Sequence, residues 1–338
     1  MYVLKVNTTY HYTGSSLLPS QTATLTTLPT SPTSPPIFFG RPDTAGILGF
    51  ISRTTHTHTL TTFSPPAEIA TGAPPTLTTC LASSPCTVHA IAFPAADVAL
   101  VHLAPQANAP AALVQLPLPS LQHLHDFLRH PDAEYMARTT FPPTHVTANT
   151  ATLTAISPRG TVHTVATDRR FARAAGREPD FGTETAQPVP FLEHTTITKV
   201  AAGGLYTAAL ADDGELFVWG QAVAGTPGEL RCLADRGDDD DEFVATVEVG
   251  EGARVTEVAV GAAHVLVAAE RGGSRGVWAA GDNRYGALGL GVDMEASEFV
   301  DEFVAVEGLR GKRVKQMVCG GMSSYVVVET ESRGGTKG

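Results

Sequence analysis

Short apolar runs separated by turn residues dominate the second half of the chain, and three of them superimpose: VAAGGLYTAALA from Val200, VAVGAAHVLVAA from Val258 and MVCGGMSSYVVV from Met317. Each reads as a strand, a glycine with a few small or polar residues, and a second strand. The glycines are Gly203, Gly261 and Gly320, at intervals of 58 and 59 residues. A weaker copy, VTANTATLTAIS from Val146, has Asn149 in the glycine position, and a fifth, IATGAPPTLTTCLA from Ile69, centres on Gly72. Hairpin signals follow the copies: Asp212-Asp213-Gly214 before ELFVWG, Pro158-Arg159-Gly160 before TVHTVA, and ERGGSRG before VWAAG. Helical spacing is confined to SLQHLHDFLRH, from Ser120.

Four short strands per 50 to 60 residues predict an all-β chain folded as a β-propeller of six to seven blades, with seven favoured. The 77 residues between Gly72 and Asn149 then hold two eroded blades. The isolated strand MYVLKV at the start is expected to pair with SSYVVVE near the end and close the ring. On this reading residues 1–338 are one domain. Degenerate blades occupy about 1–145, well-preserved repeats about 146–330, and a flexible tail 331–338.

Composition alone suggests otherwise. Residues 1–150 hold 19 of the 24 prolines, whereas residues 151–338 hold 27 of the 32 glycines, an inversion that normally marks two domains. Copies centred on Gly72 and Asn149 place the same repeat in both halves, so the inversion separates eroded from well-kept blades. The net charge of −11, from 23 basic and 34 acidic residues, lacks the basic footprint of nucleic-acid binding. Cys80, Cys86, Cys232 and Cys319 form neither a disulfide framework nor a CxxC metal knuckle, which fits a reducing compartment. The first residues lack the apolar run of a secretory signal, and no stretch of 18 apolar residues occurs. The expectation is a protein of the cytoplasm and nucleus, without membrane or nucleic-acid contact and without cofactor or metal.

Few residue patterns suggest chemistry. Gly272 to Gly276, GGSRG, fits the hydrolase elbow around Ser274, but it lies between two strands of a hairpin, whereas the elbow needs a strand-turn-helix. His56 and His58, and His123, His125 and His130, lack an acidic or cysteine set to complete a metal shell. Trp219 and Trp278 end strands and read as blade core. Two segments are candidates for partner binding: the acidic run Asp238, Asp239, Asp240, Asp241 and Glu242, a dock for a basic partner, and Asp282, Asn283, Arg284 and Tyr285 on a loop at one rim of the propeller.

The combination V-A-x-G-x-x-x-x-x-L, D-G-x-x-x-x-W-G and G-D-N-R-Y-G-A-L-G-L-G resembles the repeat of the regulator of chromosome condensation family, a seven-bladed propeller. The best copy runs from Glu257 through Gly291, with His264 at the family's histidine position and Gly281, Gly286, Leu288 and Gly289 at its turn positions. FFGRPDTAGILG, from Phe38, is a degraded echo. The founding member is a nuclear exchange factor for the Ran GTPase with a basic chromatin-binding tail. This chain has no basic N-terminal tail, and no exchange residues carry over to it. Length, acidity and degeneracy are most similar to the short fungal alpha-tubulin suppressor branch. That likeness implies a non-enzymatic scaffold, monomeric or within a hetero-complex. Its partner would be the small zinc protein shared by diphthamide synthesis and Elongator-linked tRNA wobble uridine modification. The alternative is guanine-nucleotide exchange on a Ran-like small GTPase.

Overall fold

A computed structural model of the chain describes residues 141, 143–166, 168–178, 186–235, 243–290, 298–321 and 324–329 in full, and before residue 141 the backbone of the strands alone. In chain order the strands are β1 (Tyr2–Lys5), β2 (Thr8–Thr13), β3 (Ser16–Gln21) and β4 (Leu25–Thr27); β5 (Ile37–Gly40), β6 (Ile47–Arg53), β7 (His58–Phe63) and β8 (Leu77–Ala82); β9 (Val88–Ala95), β10 (Val98–Leu103), β11 (Ala112–Pro117) and β12 (Met136–Ala137). The better-kept half gives β13 (His145–Ala148), β14 (Thr152–Ile156), β15 (Val162–Ala166) and β16 (Gln187–Pro188); β17 (Ile197–Gly203), β18 (Tyr206–Ala211), β19 (Leu216–Gly220) and β20 (Val244–Val247); β21 (Arg254–Val260), β22 (His264–Arg271), β23 (Ser274–Asp282) and β24 (Phe299–Ala305); and finally β25 (Val314–Cys319) and β26 (Ser324–Val328).

Among the described strands, β5 to β24 form five antiparallel four-stranded sheets, each taking four consecutive strands. A sixth has the order β25-β26-β1-β4, with Tyr2 opposite Val328 and Lys5 opposite Tyr325; β2 and β3 form a separate ribbon. The expected pairing between the two ends of the chain is therefore present. Six four-stranded sheets are thus present among the described strands. The first strands follow one another, β5 against β9, then β13, β17, β21 and β25, and β25 lies against β5.

Why these residues form these sheets follows from burial on two faces. Second strands are covered on both sides by neighbouring sheets, so β18 and β22 read as nearly continuous Ala, Val and Leu and are buried along almost their whole length. The apolar clusters lie between sheets. One joins Tyr206, Leu216 and Val218 to Val258, Val265 and Val267; a second joins Ile156 and Val162 to Ala209, Phe217 and Trp219. A third sets Leu266, Ala279 and Leu288 against Met317 and Val326. Outer strands are half wet, as in β24, where Asp301 and Glu302 are exposed. The repeat extends to a defect: β17, β21 and β25 each slip register at the same place, between Ile197 and Lys199, Val255 and Glu257, and Val314 and Gln316. The extra residue in the first two is a threonine whose hydroxyl donates to the neighbouring strand, Thr198 to Leu210 O (3.1 Å) and Thr256 to Ala268 O (3.2 Å).

Gly72 lies outside the described residues, in the connection between β7 and β8, the third and fourth strands of their sheet. Gly203, Gly261 and Gly320 instead mark the hairpin between first and second strands, so the copy read around Gly72 is out of phase. FFGRPDTAGILG likewise falls in a first hairpin, between β5 and β6, rather than after a third strand. Gly46 and Gly72 stand in those connections among prolines and threonines, and neither distinguishes a first hairpin from a later one. His56, Cys86, the segment 120–130 and the tail 331–338 lie outside the described residues. His58 and Cys80 fall within β7 and β8, where only the backbone is described.

Candidate functional site

Antiparallel order gives every blade two rims. First hairpins and the connections from third to fourth strand meet at one; second hairpins and the links to the next blade meet at the other. The glycine and histidine positions of the repeat all fall at the first rim, where they fasten sheet to sheet. His264 is buried, and its Nε2 lies 2.9 Å from Ser324 Oγ on the next sheet. Asn149 makes the equivalent tie between the preceding pair of sheets, donating from Nδ2 to Thr207 Oγ1 at 3.0 Å. A Cβ on Gly261 would stand 2.1 Å from the His264 ring, so only glycine leaves room for that tie. A Cβ on Gly203 would sit 2.5 Å from Gly261 O, which shows how closely adjacent hairpins approach. Gly320 directly follows β25 and is buried.

The segment from Gly281 to Gly289 is built on this rim. Gly281 has φ +112°, and a Cβ there would meet Ala263 O at 2.3 Å, so glycine lets the end of β23 close on the hairpin below. Asp282 N donates to Ala263 O (2.8 Å), and its carboxylate accepts from Arg284 N (3.0 Å) and from the Arg284 guanidinium (2.6 Å at the shortest). Asn283 N donates to Glu298 O (2.8 Å), and Gly286 N donates back to Asn283 O (2.8 Å). Gly286 and Gly289 turn with positive φ around Leu288, which is fully buried between two sheets. The consequence is a fixed loop from which Tyr285 projects, 47% exposed.

A second copy of this device, which the repeat pattern does not announce, precedes it. After β15, Asp168 accepts from Arg170 N (3.0 Å) and from the Arg170 guanidinium (2.6 Å at the shortest), and the next residue is again aromatic, Phe171. The guanidinium lies 5.4 Å from the centre of the Phe171 ring. Arg170 beside Asp168 holds that carboxylate down to about 2. Both Asp-x-Arg-aromatic units occupy connections from third to fourth strand, on the sheets either side of β17–β20. The only local signal in the sequence is D-x-R-F against D-x-R-Y, with Thr167 where the better copy has Gly281.

Between them, the connection after β19 carries the short helix α1 (Arg231–Ala234). Glu229 clasps it: its carboxylate accepts from Tyr206 Oη, Leu230 N (3.0 Å) and Ala222 N (2.6 Å). Burial, then the Glu229 charge, push the Tyr206 hydroxyl up. Arg231 reaches the next sheet at Asp301 (2.8 Å) and Glu302 (2.6 Å). Asp238, Asp239, Asp240, Asp241 and Glu242 belong to this same connection but lie outside the described residues. At the level of the register slips, Lys199 pairs with Glu257 across two first strands, which spacing in sequence does not announce.

The remaining candidates are structural. Ser274 opens β23 opposite Arg271 in a hairpin. Trp219 is fully buried, and Trp278 packs at the edge of the largest described core cluster. Burial pushes the Cys319 thiol up to about 12, which disfavours its thiolate at neutral pH. Among the described residues no three His, Cys, Asp or Glu side chains group as metal ligands, and no helix is long and apolar enough to cross a membrane.

Four-stranded antiparallel sheets with adjoining first strands are the architecture of β-propeller proteins. Within that class, the regulator of chromosome condensation repeat matches residues 197–225 and 276–327, so this chain is a propeller-type protein carrying those repeats. The human E3 ubiquitin-protein ligase HERC2 is 32% identical over 166 residues, 47% of this chain but 3% of that protein. The chain therefore spans only a small fraction of this relative. Among solved structures, Prp20p of Saccharomyces cerevisiae, studied with its binding properties to Gsp1p and histones, covers 86% of this chain and 68% of its own, with TM-score 0.53 and 12% identity. Human WBSCR16 covers 97% and 99%, with TM-score 0.53 and 12% identity. At such identities these two share the fold.

Proposed function

We propose that this propeller is a non-enzymatic scaffold that binds a protein partner through the rim bearing Asp282, Asn283, Arg284 and Tyr285. The observation that carries the reading is the fixed loop from which Tyr285 projects. An aromatic residue on a loop ordered before binding costs less backbone entropy on contact, which suits it to act as a hot spot. The ligase activity in the name of HERC2 belongs to a protein of which this chain matches 3%, and it is not extended to this chain. The partner inferred from the likeness to the alpha-tubulin suppressor branch is the small zinc protein of diphthamide synthesis and Elongator-linked tRNA modification. The acidic run 238–242 would suit a basic stretch on such a partner.

Exchange on a Ran-like GTPase is the second reading, favoured by the fold shared with Prp20p and that protein's studied binding to Gsp1p. Affinity purification of the full chain followed by mass spectrometry separates the two. The scaffold reading expects a stable complex with a non-GTPase protein and no acceleration of GDP release from Ran-like GTPases. Recovery of a nucleotide-free GTPase, with accelerated release, would replace it by the exchange reading.

A further inference from the structure

One gap between sheets is more polar than its neighbours. Thr154 and Thr164 lie opposite each other on β14 and β15, and both are fully buried. The same positions in the next two sheets hold Ala208 opposite Val218 and Leu266 opposite Ala279. The fold therefore asks only for a small or branched apolar side chain there, and valine has the shape of threonine without a hydroxyl to satisfy. Thr152, Thr154 and Ile156 share one face of β14, and Ile156 and Val162 pack with the buried Trp219 of the following sheet. Among the described residues, Thr152 Oγ1, Thr154 Oγ1 and Trp219 Nε1 have no hydrogen-bond partner. Each costs stability if left dry, because a buried donor or acceptor has given up its bond to water. The rim segment rests on the same place. Thr164 Oγ1 donates to Ala175 O (2.8 Å) and accepts from Arg177 Nε (3.1 Å), while a Cβ on Gly176 would stand 2.9 Å from Trp219 Nε1.

We infer that this gap holds bound water, which accepts from Trp219 Nε1 and bonds the hydroxyls of Thr152 and Thr154. A buried water typically makes about three hydrogen bonds. It can accept from the indole and also donate to a hydroxyl, which an anion cannot do. The seam beneath residues 168–177 is thus hydrated, and the water helps to seat the segment that carries Asp168 and Arg170. This holds whether or not the rim meets a partner.

The test is a crystal structure of the full chain, at a resolution that shows ordered water, from crystals grown with sodium bromide as the only halide. The expected result is a density peak without anomalous signal, within hydrogen-bonding distance of Trp219 Nε1 and of at least one of the two hydroxyls. A bromide anomalous peak there, no peak at all, or Trp219 Nε1 donating to a protein atom overturns the inference. Thermal melts of Thr152→Val and Thr154→Val test it in solution. Removing a hydroxyl bonded to water is expected to lower the melting temperature by about a degree or two. Removing one that has no partner leaves it level or raises it, and that result in both variants overturns the inference as well. Hydrogen–deuterium exchange at 168–177 is expected to quicken in Thr154→Val, and exchange left unchanged would overturn the link to the rim segment.

Discussion

At the scale of single residues, the repeat is a set of ties rather than a set of reactive groups. His264 and Asn149 each cross to the next sheet, and Gly261 and Gly281 exist to let chains approach. His145 at the start of β13 has a consequence for acid stability. Burial, with the neighbouring Lys199 charge, lowers its pKa from 6.5 to about 4. The unfolded chain then binds more protons between those values, so stability is complete above pH 6.5 and is lost as pH falls towards 4. His145→Gln is expected to reduce the loss between pH 7 and pH 5 by about 1–2 kcal/mol. Urea titrations at the two pH values check this, and an unchanged difference would show that other groups govern acid sensitivity.

Among elements, legibility in the sequence tracks how much turn chemistry each copy retains. Gly203, Gly261 and Gly320 set the phase of three blades correctly, and Asn149 extends it to a fourth, because each sits where a hairpin needs a small or turn-forming residue. Around Gly72 the same logic fails by half a blade. There, proline and threonine fill every connection, and no hairpin residue stands out. Asp168 to Phe171 is hard to see in the sequence because its flanking turn glycine is absent, although its hydrogen bonds match those of Asp282 to Tyr285. The pairing of β1 with β26 is readable, since SSYVVVE has no following hairpin and MYVLKV reads as an isolated strand. Deleting residues 1–6 removes β1 and leaves β26 and β4 without their shared partner. The deletion is expected to lower the melting temperature by several degrees or more, as followed by circular dichroism, and an unchanged melt would deny that the terminal strands close the fold.

For the whole molecule, the first strands adjoin one another from β5 to β25, and β25 lies against β5. In that arrangement every connection between third and fourth strands faces one way. The connections that carry Asp168 to Phe171 and Asp282 to Tyr285 then belong to one rim, the face proposed to meet the partner. The composition asymmetry follows from the same picture, with eroded blades carrying the prolines and well-kept blades the turn glycines. The most direct test is hydrogen–deuterium exchange of the full chain with and without its purified partner. The account expects protection at 168–173 and 282–285, with the opposite rim at 190–196 and 307–313 unchanged. Protection confined to that opposite rim would contradict it.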